Sequence, residues 1–301
     1  MIERKLKFAI FGNIYQTKKS VSIQKILSCL SERKADVMVE KEFYDFLSDT
    51  QRISLGGVEV FRGADFDSDF VISMGGDGTF LKSAAFVGGK DIPIIGVNMG
   101  RLGFLADVSP AEIEHCIDML YNDDYSVEDR TVIQLSFVSG GKDTTGETST
   151  IPFALNDVAV LKRDNASMIT IRATINGEYL TTYQADGLII STPTGSTAYS
   201  LSNGGPILVP ASRVLTLTPV APHSMNIRPI VISDNSEIAL TVESRNHNFL
   251  VAIDGRSEKC AEGTQLILRK APYKIKVVKR PGSSYFHTLR EKLMWGLDVR
   301  G

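Results

Sequence analysis

Through the first 125 residues the apolar pattern keeps changing period, and that alternation constrains the fold more than any other feature. Leu6 to Phe11 is a short apolar run that ends at Gly12, the signature of a buried strand. Ile23, Ile26, Leu27 and Leu30 then recur at helical spacing. Phe70 to Met74 reads as a strand that breaks into Gly75-Gly76-Asp77-Gly78, and Phe80, Leu81, Ala84 and Ala85 return to the helical period. Ile92 to Val97 is a further strand. Ser109-Pro110-Ala111-Glu112 has the form of a capping box with proline at the first helical position, which opens a helix to about Tyr121. Strands alternating with helices predict an α/β domain built on a parallel, Rossmann-like sheet.

After residue 125 the helical period disappears. Residues 139–150 form a polar loop. Ile169, Ile171, Ala173 and Ile175 alternate up to Asn176-Gly177, a strong hairpin signal. Ile238 to Val242 and Phe249 to Ile253 flank a polar turn, and Leu266 to Leu268 and Ile275 to Val278 follow as strands. Only His287 to Trp295 looks helical again. The expected organisation is an α/β domain over 1–125 and a mostly antiparallel β domain over 126–280. A segment over 281–301 is expected to return to the first domain. No repeat of solenoid period occurs.

A chain of 301 residues has the length of about two domains. With 43% hydrophobic and 23% charged residues it can bury a core and is not a disordered chain. Thirty-three basic and thirty-five acidic side chains leave a net charge of −2, with no excess to neutralise a nucleic-acid backbone. Cys29, Cys116 and Cys260 show no CxxC spacing and read as reduced thiols of a cytosolic protein. No signal peptide and no apolar run of spanning length is apparent, so a soluble, cytoplasmic protein is expected. His115, His223, His247 and His287 are scattered and form no zinc pattern.

Three segments carry chemistry. Gly75-Gly76-Asp77-Gly78-Thr79 stands between a strand and a helix, where glycines let a ligand approach the backbone and the helix start attracts phosphate. Asp77 would repel phosphate, so it either caps the helix or holds and deprotonates a hydroxyl to which phosphate is transferred. The second segment is DGLIISTPTGSTAYSLS, Asp186 to Ser202. No charged side chain occurs from Gly187 to Ser212, yet Ser, Thr and Gly abound. Such a stretch either wraps a polar, uncharged ligand such as a nucleobase and ribose, or forms a tight β-corner with its hydroxyls satisfied by backbone. The third is Asn156-Asp157, whose donors and acceptors suit a vicinal diol but also suit a turn.

Together these segments resemble the NAD kinases, which phosphorylate the adenosine 2′-hydroxyl of NAD with ATP. The family's G-G-D-G-T motif stands at Gly75 to Thr79, its N-E/D motif at Asn156-Asp157, and its D-G-x-x-x-S-T-P-T-G-S-T-A-Y-S motif, ungapped, at Asp186 to Ser200. Asn98 to Leu105, Pro222-His223-Ser224, Asp254-Gly255, Tyr285-Phe286 and Thr288-Leu289 also match, in the family's order. G-G-D-G-T is shared with lipid kinases and phosphofructokinases; the Asp186 segment is far more specific. A lipid kinase would need an apolar cleft, against which the hydroxyl-rich segment argues. A non-catalytic dinucleotide regulator is disfavoured by the intact Asp77 and Asn156-Asp157.

The resemblance implies a Rossmann-like N-terminal domain, a β-sandwich-like C-terminal domain, NAD bound between them, and a homo-oligomer (dimer or tetramer). It implies that Asp77 is the base facing the 2′-hydroxyl, with Gly78 beside it. Lys82 matches a basic position of the dinucleotide site, and Phe104 would close over the adenine end. Asn156 and Asp157 would hold ribose hydroxyls. Thr194, Thr197, Ala198, Tyr199, Ser200, Leu201 and Ser202 would line the adenine and ribose pocket. Asp186 would meet the nicotinamide end with Ala221 of a neighbouring subunit. Gly75, Gly76, Gly78 and Thr79 would cradle phosphate, joined by Asp254 and Arg256. Gln184 stands where members often carry Arg or Gly, which leaves NAD or NADH as acceptor open. ATP would be the phosphoryl donor, and a divalent ion, Mg²⁺, would bridge its phosphates.

Overall fold

In the computed structural model, which describes residues 4–15, 20–51, 53, 55–100, 102–163 and 167–296, the alternating region forms one sheet that is parallel from Glu59–Phe61 through Ile275–Lys279. Its strands run in the order Glu59–Phe61, Asp36–Glu40, Lys7–Gly12, Phe70–Gly75, Ile94–Asn98, Ile275–Lys279 and Ser126–Arg130. The chain builds outward from Lys7–Gly12 to one side and then returns to build on the other. That reversal leaves a crevice beyond the carboxyl ends of Lys7–Gly12 and Phe70–Gly75, the place where open α/β sheets bind ligands. Both central strands are almost wholly buried, and Phe8, Ile10, Ile72 and Met74 share a core with Ile23, Ile26 and Leu30 of the helix Ser20–Glu32.

Ser109 shows half of a capping box. Its N–H donates to Glu112 at 3.0 Å, but its hydroxyl also donates to that carboxylate, and the regular helix runs Ile113–Tyr121. The carboxylate of Glu112 is held down to about 2 by the Ser109 hydroxyl, with Arg280 adding to the effect.

Residues Arg130–Lys274 form a second compact unit. One sheet runs Ile230–Ser233, Val214–Val220, Gly187–Ser191, Asp157–Leu161, Asn248–Ile253 and Arg256–Ala261. The other runs Glu178–Ala185, Ile169–Ile175, Ile238–Glu243, Gln265–Lys270, Ile133–Ser139 and Lys142–Asp143, with Phe153–Ala154 on Ile133–Ser139. All the pairings within both sheets are antiparallel. Leu135, Ile171 and Leu240 from one sheet and Val160, Leu188 and Val251 from the other belong to one core, which makes this unit a sandwich. Asn176 and Gly177 turn with φ of 52° and 83°, both left-handed, so the hairpin forms where the sequence puts it.

One strand assignment changes. Ile238–Glu243 and Asn248–Ile253 flank a turn but do not pair; the turn passes the chain from one sheet to the other, because each strand's apolar face must reach the shared core from its own side. Ile275–Lys279 is not a β-domain strand. It joins the first sheet, parallel to Ile94–Asn98 with Val277 opposite Ile94, and the contact division accordingly falls between Lys274 and Ile275. With its pattern of burial on both faces it suits the interior of a parallel sheet.

Candidate functional site

In the first unit the site is built on the turn between Phe70–Gly75 and the helix Asp77–Val87. Gly75 is obligatory by space, since a Cβ there would lie 2.1 Å from Thr79 Oγ1. Gly76 caps the helix in an extended conformation, and its carbonyl accepts from Thr79 and Phe80. A Cβ at Gly76 or Gly78 would meet nothing within 4 Å, so these two present bare backbone. Both line a cleft of about 450 Å³ with Thr79, Lys82, Glu42, Gly12, Asn13 and Tyr15. This is the crevice that the strand order leaves open. Lys82 forms an ion pair with Glu42 at 2.5 Å and lies 3.9 Å from Glu40.

Asp77 does not cap its helix. Its carboxylate crosses to the loop after Ile94–Asn98, where Oδ1 accepts from Leu105 and Ala106 and Oδ2 from Phe104, each at 3.0 Å. Lys292, from the terminal helix Tyr285–Leu293, adds a contact to Oδ2 at 3.1 Å. Burial alone would raise this carboxyl; the N–H donors of Ala106, Leu105 and Phe104 and the Lys292 charge outweigh it and hold the group below its ordinary value. Gly103 permits the arrangement, because a Cβ there would fall 2.1 Å from Asp77 Oδ1. Phe104 is tilted against Tyr285 at 6.2 Å between ring centres and lies under the Lys292 ammonium at 4.5 Å. Arg101, within the matched stretch Asn98 to Leu105, lies outside the described residues.

In the second unit three separated motifs meet. Asn156 O accepts from Thr192 N at 2.9 Å, and Thr192 Oγ1 donates to Leu155 O at 2.6 Å. Gly195 presses on the same residue: a Cβ there would stand 2.1 Å from Asn156 O. Asp254 closes the junction, accepting from the N–H groups of Leu155, Asn156 and Asp157 at 2.8, 2.8 and 3.1 Å. Asp254 and Gly255 form a left-handed turn, φ 47° and 80°. Arg256 donates to Ile253 O and Phe153 O. Asp254 thus fixes the backbone of Asn156-Asp157 from one side, while Arg256 ties Ile253 to Phe153.

The hydroxyls of the Asp186 segment are largely satisfied within the protein. Ser191 donates to Thr192 O, Ser196 to Pro193 O, Thr197 to Thr194 O, and Ser200 pairs with Thr218. Those contacts make the tight corner that composition alone leaves as an alternative. Thr194 accepts weakly from Arg130 at 3.4 Å. Ala198 precedes the short helix Tyr199–Ser202, on which Leu201 is half-buried while Tyr199 and Ser202 are exposed. Asp186 pairs with Lys162 at 2.7 Å, and Gln184 and Lys162 line a separate cleft of about 400 Å³ with Arg245 and Met168. Ala221 holds φ at 44°, an uncommon conformation for a residue with a Cβ.

One acceptor in this junction is left without a donor. Asn156 Oδ1 is buried with no hydrogen-bond partner. Asp157 is buried beside Asp254, and burial, with the Asp254 charge adding to it, pushes its carboxyl up to about 7. Burial raises Asp254 as well, against the opposing pull of three N–H donors and Arg256. A carboxyl whose folded value lies above its unfolded value of about 4 keeps a proton that the unfolded chain has lost. Stability therefore falls as pH rises from about 4 to about 7. Asp157→Asn removes that titration, and its urea midpoint should gain on the wild type between pH 5 and pH 8. Parallel pH profiles for the two proteins would contradict this placement of the proton.

Gly103 lies in the matched stretch Asn98 to Leu105, whereas Lys162, Lys292 and Glu42 have no signal in the sequence that marks them. Each acquires its role only by contact, Lys292 with a residue 215 positions away.

Residues 8–125 match the model of the ATP-NAD kinase N-terminal domain, and residues 155–280 that of the ATP-NAD kinase C-terminal domain. The chain is 57% identical over 295 residues to an NAD kinase of Bacteroides fragilis, covering 98% of this chain and all of the relative. It is 42% identical over 297 residues to an NAD kinase of Flavobacterium psychrophilum, again over 98% of this chain and all of the relative. Among solved structures it is similar in fold to yeast NADH kinase complexed with NADH, at a TM-score of 0.88 and 22% identity over 98% of this chain and 89% of the other. It is also similar to an NAD kinase from Archaeoglobus fulgidus in complex with ATP, with TM-score 0.71 and 24% identity over 96% and 99%.

Proposed function

Because this chain belongs to the NAD kinase family, we propose that it transfers the γ-phosphate of ATP to the 2′-hydroxyl of the adenosine ribose of NAD, with Asp77 receiving the hydroxyl proton. The observation that carries this reading is the position of Asp77 itself. It is a carboxylate at the first turn of a helix, beside bare glycine backbone, at the crevice where the sheet order reverses.

Phosphoryl transfer to an alcohol needs in-line positioning, neutralisation of charge on the triphosphate and a proton acceptor. The start of the helix Asp77–Val87 supplies orphan N–H groups and the positive end of the helix dipole for phosphate oxygens. Asn156 Oδ1 is a buried acceptor without a partner, Asp157 is its neighbour in the chain, and ribose hydroxyls are donors of the right kind. Among the described residues no three His, Cys, Asp or Glu side chains come together as a metal cage. Magnesium would arrive as part of the substrate, MgATP, bound chiefly by phosphate oxygens. None of the described helices is long and apolar enough to cross a membrane; a cytoplasmic homo-oligomer is the form the family resemblance implies.

The test is NADP or NADPH formation by the purified protein supplied with MgATP and either NAD or NADH. NADP from NAD supports the reading. Comparable use of NADH shows that Gln184 leaves the acceptor open, and no phosphorylated dinucleotide from either overturns the reading.

A further inference from the structure

The carboxylate of Asp77 is full. Its two oxygens receive four donors, Leu105 and Ala106 on Oδ1, Phe104 and Lys292 on Oδ2, and an ionised carboxylate has about four lone-pair positions. A substrate hydroxyl can reach it only if one donor leaves. Three of the four are backbone N–H groups of a loop fixed at several points: Gly103 N donates to Ala106 O at 3.0 Å, Asn98 N to Val108 O at 2.7 Å and Val108 N to Gly96 O at 3.0 Å. Gly96 also packs directly beneath the loop, where a Cβ would lie 2.4 Å from Leu105 O. Releasing any of these N–H groups would break that framework and leave a polar group unpaired.

Lys292 is different in kind. Its ammonium sits on a flexible stem, its side chain is 30% exposed, and the ring of Phe104 beneath it offers a second seat at 4.5 Å. An ion pair exposed to this degree is cheap to open.

We propose that Lys292 is a positioning residue for the phosphoryl acceptor: it occupies on Asp77 Oδ2 the place that the ribose hydroxyl takes, and gives it up when the dinucleotide binds. The exchange does two things. It keeps the carboxylate ionised and aligned in the free enzyme, and it removes a cation from that oxygen at the moment a proton must go there. The proposal rests on the acceptor hydroxyl reaching Asp77, and the variants below separate the two ideas.

The experiment compares wild type, Lys292→Met, Lys292→Arg, Asp77→Asn and the Asp77→Asn/Lys292→Met double variant. NAD affinity is measured by calorimetry without ATP, and kcat and KM are measured with MgATP. Removing a competitor for Oδ2 should tighten NAD in Lys292→Met by roughly two- to fivefold, the range an exposed ion pair spans, with the change appearing in KM rather than kcat. Lys292→Arg refills the oxygen and should restore wild-type affinity. In the Asp77→Asn background, Lys292→Met should leave affinity unchanged, because there is no shared carboxylate to vacate. Unchanged or weaker NAD binding in Lys292→Met overturns the proposal. So does a tenfold loss of kcat with affinity unaltered, which would make Lys292 a group acting on the transition state. Near-normal turnover of Asp77→Asn would instead remove the proton-accepting role of Asp77, and the affinity measurements would still decide whether Lys292 and NAD compete for it.

Discussion

Asp77→Asn should lower kcat by about 10²–10⁴-fold, a loss of roughly 3–5 kcal/mol of transition-state stabilisation, while NAD still binds. The amide keeps the volume and one acceptor oxygen, so the Leu105 and Ala106 N–H groups retain a partner. It cannot take a proton from the ribose hydroxyl, and its NH₂ meets the Phe104 N–H and Lys292 as a donor facing donors. Some loosening of the 104–106 loop is therefore expected as well. Calorimetric NAD binding separates that from chemistry: affinity within about tenfold of wild type with turnover lost assigns the defect to the reacting step. Near-normal turnover would show that Asp77 anchors the loop and does nothing to the hydroxyl.

The second large effect is on the fold. Gly195→Ala would place a Cβ 2.1 Å from Asn156 O, 2.4 Å from its carbonyl carbon and 2.7 Å from its Cα, all backbone atoms. Backbone cannot rotate away as a side-chain tip can. The same carbonyl accepts from Thr192 N, and the adjoining N–H groups are those that Asp254 holds. Overpacking commonly costs about 1–3 kcal/mol, and here at least one buried hydrogen bond should loosen with it. We expect a clear fall in thermal midpoint together with weakened NAD binding. Gly78→Ala is the contrast: a Cβ there meets nothing within 4 Å, so the midpoint should hold while turnover falls. Equal midpoints for wild type and Gly195→Ala would mean that the junction tolerates displacement.

These effects also mark what was legible beforehand. The apolar period placed Phe70–Gly75, whose Phe70, Ile72 and Met74 join the first unit's core, and Asp77–Val87, which buries Phe80, Ala84 and Val87 on one face. Asn176-Gly177 placed its hairpin because only a few residue pairs adopt two successive left-handed conformations easily. The destination of Ile275–Lys279 was not legible, since a local pattern says strand and does not say which sheet. Nor was the separation of Ile238–Glu243 from Asn248–Ile253, where a short polar connection looks the same whether or not its strands pair.

At the site the motifs located the turn but not the partners. Asp77 stood out by sitting between glycines, whereas its link to Lys292 spans 215 positions and depends on where the terminal helix packs. The hydroxyl-rich segment suits either a ligand or a tight corner, and the hydroxyls of Ser191, Ser196 and Ser200 are engaged in folding that corner. Asp254 and Arg256, which the resemblance sets near phosphate, also bond backbone groups, contacts that no motif signals. Asn156 Oδ1, a buried acceptor without a partner, belongs to a motif that taken alone suits a turn equally well.

The most direct test follows the label from γ-³²P-ATP, with NAD and Mg²⁺, into product made by the purified protein, with the phosphate located by NMR. The account predicts labelled NADP carrying the new phosphate on the adenosine 2′ oxygen, and none from Asp77→Asn on the same timescale. ATP consumption without labelled NADP, or a phosphate on any other hydroxyl, would contradict it.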